Sequence, residues 1–337
     1  MSRSTGSVSW DASPASSWMG KHWDSIKSKT LMQLTLPGSH NSGNHEGALS
    51  ADRLCVSDYR YKEYLRDPST KNAGSPLSAA EFDAKFIAWN VNHSDPIAAQ
   101  LVEDGARFFH LKIYHHGSPD AVDLNDVVFQ HRGYTTKATL ADMIFDMKAF
   151  LAANPKELIV LGFNNLHNDA GSFGDREILH LASALVDAIG EEALISRSGL
   201  SRTLEELIEA GRRFAIFLAG VAVASELPKG IIPSIEAFTE NWDDAMTSGD
   251  LSLSGAFLVE DLKATASRSE RFCVLQANPN NSEALMYAQL NGGCGPASLE
   301  EWLQPFLRGL GDLVEAVRTE EPRVHINAIS TDFLRIS

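Results

Sequence analysis

The sequence predicts a single α/β domain built on a parallel sheet, and three observations lead there. Segments that read as strands alternate with segments that read as helices, the order that generates βαβ units. Residues 158–163 are apolar throughout, as in strands buried on both faces of a parallel sheet. The 337 residues carry no internal repeat and no dividing linker, and their length suits one α/β barrel.

Residues 1–28 read as a polar lead-in, rich in Ser and carrying Trp10 and Trp18, and the barrel domain is expected over 29–337. Residues 32–36 alternate as a first strand, which Pro37-Gly38 should stop. A polar loop, Ser39-His40-Asn41-Ser42-Gly43-Asn44-His45, follows. Residues 46–77 are irregular, with Tyr59, Tyr61 and Tyr64 either overhanging the barrel mouth or forming a satellite core. Ser78-Ala79-Ala80-Glu81 has capping-box spacing and opens a helix toward Trp89. Residues 107–114 and 127–131 are the second and third strands. Thr139 caps a helix whose Leu140, Ile144, Met147 and Leu151 share one face, and Asn154-Pro155 ends it. The strand 158–163 comes next. A helix over 175–189 stops at Gly190, and a boxed helix runs from Thr203 to Gly211. Strands are expected at 214–218, 256–259, 272–275 and 324–329, with a long helix starting after Ser298 and bent near Pro305.

Charge and cysteine content exclude several classes. Lys and Arg total 29 against 44 Asp and Glu, a formal charge of −15, and no polybasic tract interrupts it. Such a surface repels nucleic acid, so nucleic acid is not an expected partner. Cys55, Cys273 and Cys294 are too few and too scattered for a disulfide framework or a zinc site. No apolar run approaches the ~20 residues of a membrane span. The N-terminus lacks the apolar region of a signal peptide, which makes a cytoplasmic protein the expectation.

In a β/α barrel, chemistry collects at the C-terminal ends of the strands. Those ends offer His40 and Asn41 after the first strand, His110 and Lys112 in the second, and His131 closing the third. Asn164 and Asn165 follow the fourth, and Asp332 follows the last. Two histidines, a cation, amides and a carboxylate suit phosphoryl transfer. One His takes a proton from the nucleophile, the other gives one to the leaving oxygen, and the cation holds the phosphate oxygens. Each residue also has a plainer reading. A lone His at a strand end is more often structural, His110 inside a strand leans that way, and Asp332 can cap backbone amides. Asn164-Asn165 can simply begin a turn. His45, His93, His115, His116 and His167 read as solvated or structural.

Leu36-Pro37-Gly38-Ser39-His40-Asn41-Ser42 resembles the opening motif of the catalytic X domain of phosphatidylinositol-specific phospholipases C. Residues 105–112 resemble that family's second strand, and Gln130-His131-Arg132-Gly133 its second histidine motif. Residues 139–161 resemble the following helix and strand, and Ile329-Ser330-Thr331-Asp332-Phe333-Leu334 the last strand. The resemblance implies a distorted, incompletely closed TIM barrel of the phospholipase C-like phosphodiesterase type. It implies that His40 is the general base, oriented by Asp332, and His131 the general acid; the strand-end reading itself adds Lys112 at the phosphate and Asn41, His110 and Asn164 at the substrate. The product would be a cyclic phosphodiester. Bacterial members usually have His-Asp where this chain has His40-Asn41, and Asp-x-Arg where it has His110-Leu111-Lys112. Calcium-dependent members have His-Asn but place carboxylates at the positions of His110, Lys112 and Asn164.

No metal and no cofactor are therefore expected. Calcium takes six to eight oxygen ligands, usually with carboxylates, and these positions supply none. An ammonium ~4 Å from a divalent ion costs ~8 kcal/mol at an effective dielectric near 20. The expected activity is metal-independent cleavage of an inositol-type phosphodiester, with a small-molecule or lipid substrate and at most transient membrane-surface contact. Two alternatives stand beside it: the same pocket acting on a soluble phosphodiester or a non-phosphate substrate, and a non-catalytic binding barrel. His131-Arg132-Gly133 also opens glycerophosphodiester phosphodiesterases. There it lies on the first strand, before a Glu-Asn pair that this chain lacks.

Overall fold

In chain order the strands are β1 (Leu36–Ser39), β2 (Leu49–Leu54), β3 (Phe108–His115), β4 (Val127–His131), β5 (Tyr134–Thr139), β6 (Ile159–Asn168), β7 (Gly171–Ser172), β8 (Phe214–Leu218), β9 (Ile231–Pro233), β10 (Phe238–Glu240), β11 (Phe272–Gln276) and β12 (Ala328–Thr331). They come from a computed structural model describing residues 13–54, 77–219, 224–234, 238–240, 246, 248–265, 270–280, 285, 295–321 and 324–334. Residues 1–12 of the lead-in, Cys55, Cys294 and the three tyrosines of the 46–77 stretch lie outside them.

From β1 the sheet runs parallel in both directions. One arm is β1-β3-β6-β8-β9 and the other is β1-β12-β11-β10. Among the described residues nothing pairs β9 with β10, so the curled sheet is a barrel left open at one seam. Alternation along the strands decides what faces inward. Leu36, Phe108, Val160, Phe217, Phe272, Val274 and Ala328 meet inside in one buried cluster. On β3, Phe109, Leu111 and Ile113 face out and pack with Met143, Met147 and Leu181 of the flanking helices. The inward phase set by Phe108 therefore continues through His110 and Lys112 toward the C-terminal mouth.

The mouth departs from a regular barrel at β3. Its first residues pair with β1, but Ile113, Tyr114 and His115 pair with β4 running antiparallel. Arg132 and Gly133, both with positive φ (46° and 86°), form the two-residue turn to β5, which pairs onward with β2. The third strand is thus a flap strand, not a barrel strand. Its reversal sends His131 back down toward the mouth.

Helix punctuation matches the sequence. Ser78, Thr139, Thr203 and Ser298 each cap a helix, at Ala79–Ala88, Leu140–Ala153, Leu204–Glu209 and Leu299–Glu320, the last with Pro305 inside. The helix Asp175–Ile189 ends at Gly190 as expected. Four strand expectations need correction. Residues 31–33 form a 3₁₀ turn, and the first strand instead contains Pro37 and Gly38. Crowding explains the glycine: a Cβ at Gly38 would lie 2.8 Å from the Ile329 carbonyl oxygen. The strand 158–163 continues to Asn168 through a bulge, so Asn164 and Asn165 lie within it. Residues 256–259 belong to the helix Leu251–Thr265, whose buried Leu258, Asp261, Leu262 and Thr265 recur at helical spacing. The last strand begins at Ala328 rather than 324.

The barrel floor is closed by residues 14–33. Met19 is fully buried in the interior cluster. Arg107 is fully buried too, pairing at 2.8 Å with Glu157 and donating at 2.8 Å to the Ser16 carbonyl. Among the described residues no helix is long and apolar enough to cross a membrane.

Candidate active site

His40 follows β1 and Asp332 follows β12, neighbours in the parallel ladder, so the two side chains meet across one strand spacing. His40 Nδ1 lies 2.8 Å from Asp332 Oδ1, and both residues are almost fully buried. The carboxylate accepts the Nδ1 proton, which leaves Nε2 with its lone pair. Burial, then Lys112, His93 and Arg132, hold His40 well below the ordinary histidine value. Burial pushes Asp332 up to about 7, against the opposing pull of His93, Asn92, Lys112 and Arg132.

His131 arrives on the flap. Its Nδ1 donates to the Asn90 carbonyl at 2.7 Å, so a backbone oxygen fixes the tautomer. The Asn44 amide nitrogen lies 3.0 Å from the same ring nitrogen. Burial, Lys112, Arg132 and His40 lower the proton affinity of His131 strongly, and the Asn90 bond opposes them.

Lys112 joins these groups electrostatically. Its charge acts on His40, His110, His131, Asp332 and Glu240. His110 stacks on His40 with ring centroids 5.1 Å apart and an interplanar angle of 24°. Among the described residues neither ring nitrogen of His110 has a hydrogen-bond partner, and Nε2 stands 3.7 Å from Glu240 Oε2. Asn41 adopts φ 48° and donates to Asn92 at 3.3 Å. Asn164 donates to Glu240, which also accepts from Gln276, and burial raises the proton affinity of Glu240. A cavity of about 320 Å³ opens beside His110, Asn164 and Glu240, with Phe217 and Phe238 among its walls. A larger groove of about 900 Å³ runs outside the barrel past Ile144, Phe145 and Ala184, and holds none of these groups.

The seven residues given roles from the sequence therefore border one mouth, whereas Asn165 is exposed. Seven others were missed: Asn44, Asn90, Asn92, His93, Arg132, Glu240 and Gln276. Glu240 closes a three-residue strand too short to read, and Asn90-Val91-Asn92-His93 has no periodicity. The alternation Phe238-x-Glu240 was the only signal for the carboxylate. Calcium fits this set poorly. Glu240 lies beside the expected ligand positions, but its two oxygens accept from Asn164 and Gln276 and Lys112 stands beside it. Among the described residues no group of three or more His, Cys, Asp or Glu is arranged to hold a metal ion.

No protein-family model matches the chain, and no curated protein sequence matches it. Solved structures do. A Staphylococcus aureus phosphatidylinositol-specific phospholipase C superposes with a TM-score of 0.54 at 15% identity, covering 97% of this chain and 93% of that one. A point mutant of the same enzyme gives 0.56 at 15%, covering 97% and 92%. The phosphatidylinositol-specific phospholipase C of Listeria monocytogenes gives 0.53 at 12%, covering 92% of each chain. At these identities the likeness speaks for architecture, and the chain has the open, distorted α/β barrel of the bacterial phosphatidylinositol-specific phospholipases C.

Proposed function

We propose that the protein is a phosphodiesterase of the phosphatidylinositol phospholipase C type, cleaving an inositol-type phosphodiester without a metal. The observation that carries this reading is the His40–Asp332 pair facing a second, tautomer-fixed histidine across the Lys112 charge. His40 Nε2 takes the proton of the attacking hydroxyl as its oxygen bonds to phosphorus. The bond from phosphorus to the leaving oxygen breaks, and His131 delivers a proton to that oxygen. Lys112 offsets charge on the phosphoryl oxygens. Asp332 holds the imidazole and stabilises the imidazolium that forms.

One feature of the ligand-free site favours this order of events. Burial first, then Lys112 and Arg132, lowers the proton affinity of His131. An arriving phosphodiester supplies the opposite charge, raising the proton affinity of His131 when an acid is needed. The fold resemblance supports the same substrate class, since the neighbouring structures are phosphatidylinositol-specific enzymes.

Phosphatidylinositol, glycerophosphoinositol and glycosyl-phosphatidylinositol assayed side by side, with His40→Ala and His131→Ala as controls, test the proposal. Each variant should lose ~10²–10⁴-fold, and the double variant little more, since the two act in one displacement. Turnover of the soluble diester alone would move the substrate to that class. Losses under about tenfold in either variant would remove that histidine from the chemistry.

A further inference from the structure

The proton-moving groups come from β1, β12 and the β4–β5 flap, yet one short segment touches all of them. Residues 90–93 follow the helix Ala79–Ala88, anchored to it by an Asn90 side-chain bond to the Phe86 carbonyl. Asn90 presents its carbonyl to His131, Asn92 donates to Asp332 at 3.0 Å, and His93 Nε2 lies 2.6 Å from the His40 carbonyl. All three are buried. We propose that this segment is the jig that sets base against acid, with Asn92 as its central positioning residue. The inference rests on the catalytic reading above.

Every polar atom of Asn92 is engaged. Its amide nitrogen bonds the same Asp332 oxygen that accepts the His40 proton. Its side-chain oxygen accepts from Asn44 and Asn41. Its main-chain oxygen accepts from Phe333, the residue after Asp332, at 2.9 Å. Asn44 in turn donates to the Asn90 carbonyl at 2.6 Å, the oxygen that orients His131. An unbroken chain of hydrogen bonds thus joins His40, Asp332, Asn92, Asn44, the Asn90 carbonyl and His131. Such a network fixes relative geometry more tightly than its members would separately. Asp332 Oδ2 is buried and has no hydrogen-bond partner among the described residues, so Oδ1 carries the whole link.

Asn92 also biases the charge on the pair. The ionisable groups around Asp332 are His40 after β1, His93 in the segment itself, Lys112 on β3 and Arg132 in the flap turn, and His110 stacks behind His40. All are cationic or neutral, and Asn92 is the uncharged donor that stabilises the ionised carboxylate. Without it, the pair takes up its extra proton at higher pH.

The test is NMR titration of ¹⁵N-histidine-labelled protein, with the His40 signals assigned by their loss in His40→Ala, alongside the pH dependence of kcat/KM on phosphatidylinositol micelles. Asn92→Ala should move the His40–Asp332 midpoint up by about 1 pH unit and lower kcat with KM little changed. Asn92→Asp keeps the shape, sets a second carboxylate against Asp332 and should move the midpoint further. Asn44→Ser should move the His131 signals and leave those of His40 in place. A His40 midpoint unmoved in both Asn92 variants overturns the inference, as does a parallel loss of kcat and thermal stability without a pH shift. Asp332→Asn separates the two claims. Full activity in that variant removes the catalytic reading, whereas a large loss there with unmoved Asn92 titrations removes only the positioning role.

Discussion

At the scale of single residues, burial governs the site more than any named partner does. It lowers His40, His110 and His131 and raises Asp332 and Glu240, so the neutral form of each group is favoured. Two consequences have definite signs. Asp332, pushed up to about 7, must be ionised to hold the His40 imidazolium. Activity therefore falls as pH drops through that value, and kcat/KM against pH should show an acid limb near neutrality. A limb near 4, where a solvated carboxylate titrates, would contradict the burial argument. His131 should be neutral without ligand and gain a proton when an anion arrives. Calorimetry of inorganic phosphate binding at pH 7, in buffers of different ionisation enthalpy, should register proton uptake in the parent protein and none in His131→Ala. Lys112 has a sharper test: Lys112→Ala should lose far more rate than Lys112→Arg, and excess chelator should leave the parent unaffected. Restoration of a chelated enzyme by calcium would refute a lysine in the metal's place. His40, Lys112, His131 and Asp332 were legible because charged groups at apolar strand ends stand out. Asn90 and Asn92 were not, because one contributes a backbone carbonyl and the other only amide bonds that no sequence pattern announces.

At the scale of elements, helices were easier to read than strands, and the reason lies in what ends them. Capping side chains act within three residues, so Ser78, Thr139 and Thr203 mark their helices locally. Strand identity depends on distant partners. Residues 256–259 form a short apolar run that satisfies either geometry, and packing of Leu258 and Leu262 against the final helix decides for a helix. Pro37-Gly38 reads as a terminator, yet β1 needs a residue without a side chain beside Ile329. The flap shows the same dependence. Its antiparallel direction follows from the Arg132-Gly133 turn, and its seating follows from Gly43, where an added Cβ would overlap the buried Phe129 ring. Phe129 lies two residues before His131, so strain there reaches the acid. Gly43→Ala should destabilise the fold by about 1–3 kcal/mol, the usual result of overpacking, and cut kcat beyond what the lost stability explains. Urea unfolding together with steady-state rates on the folded fraction checks this. Unchanged kcat would show that the flap tolerates a shift without moving His131.

At the scale of the whole molecule, a strongly negative chain sets two cations, Lys112 and Arg132, at the barrel mouth. The chain carries a formal −15, while Lys112 acts on His40, His110, His131, Asp332 and Glu240. An anionic bilayer is repelled by the whole surface, whereas a small anionic diester that has entered the mouth meets Lys112 and Arg132 at close range. Salt screens the first interaction over a Debye length of ~10 Å at 0.1 M and affects the shorter, buried one much less. On the proposed reading the two substrates should therefore respond with opposite sign. Raising NaCl from 0.02 to 0.5 M should increase kcat/KM on phosphatidylinositol vesicles, by up to roughly tenfold as long-range repulsion is removed. The same change should slightly depress kcat/KM on soluble glycerophosphoinositol, because attraction to the lysine is weakened. Diluting phosphatidylinositol into zwitterionic lipid should shrink the salt effect, since the repelling surface charge falls with it. A bilayer rate that falls with salt would show that a local basic patch, not the net field, governs approach to the membrane. Equal responses from both substrates would instead assign the limiting electrostatic contact to Lys112 in each case.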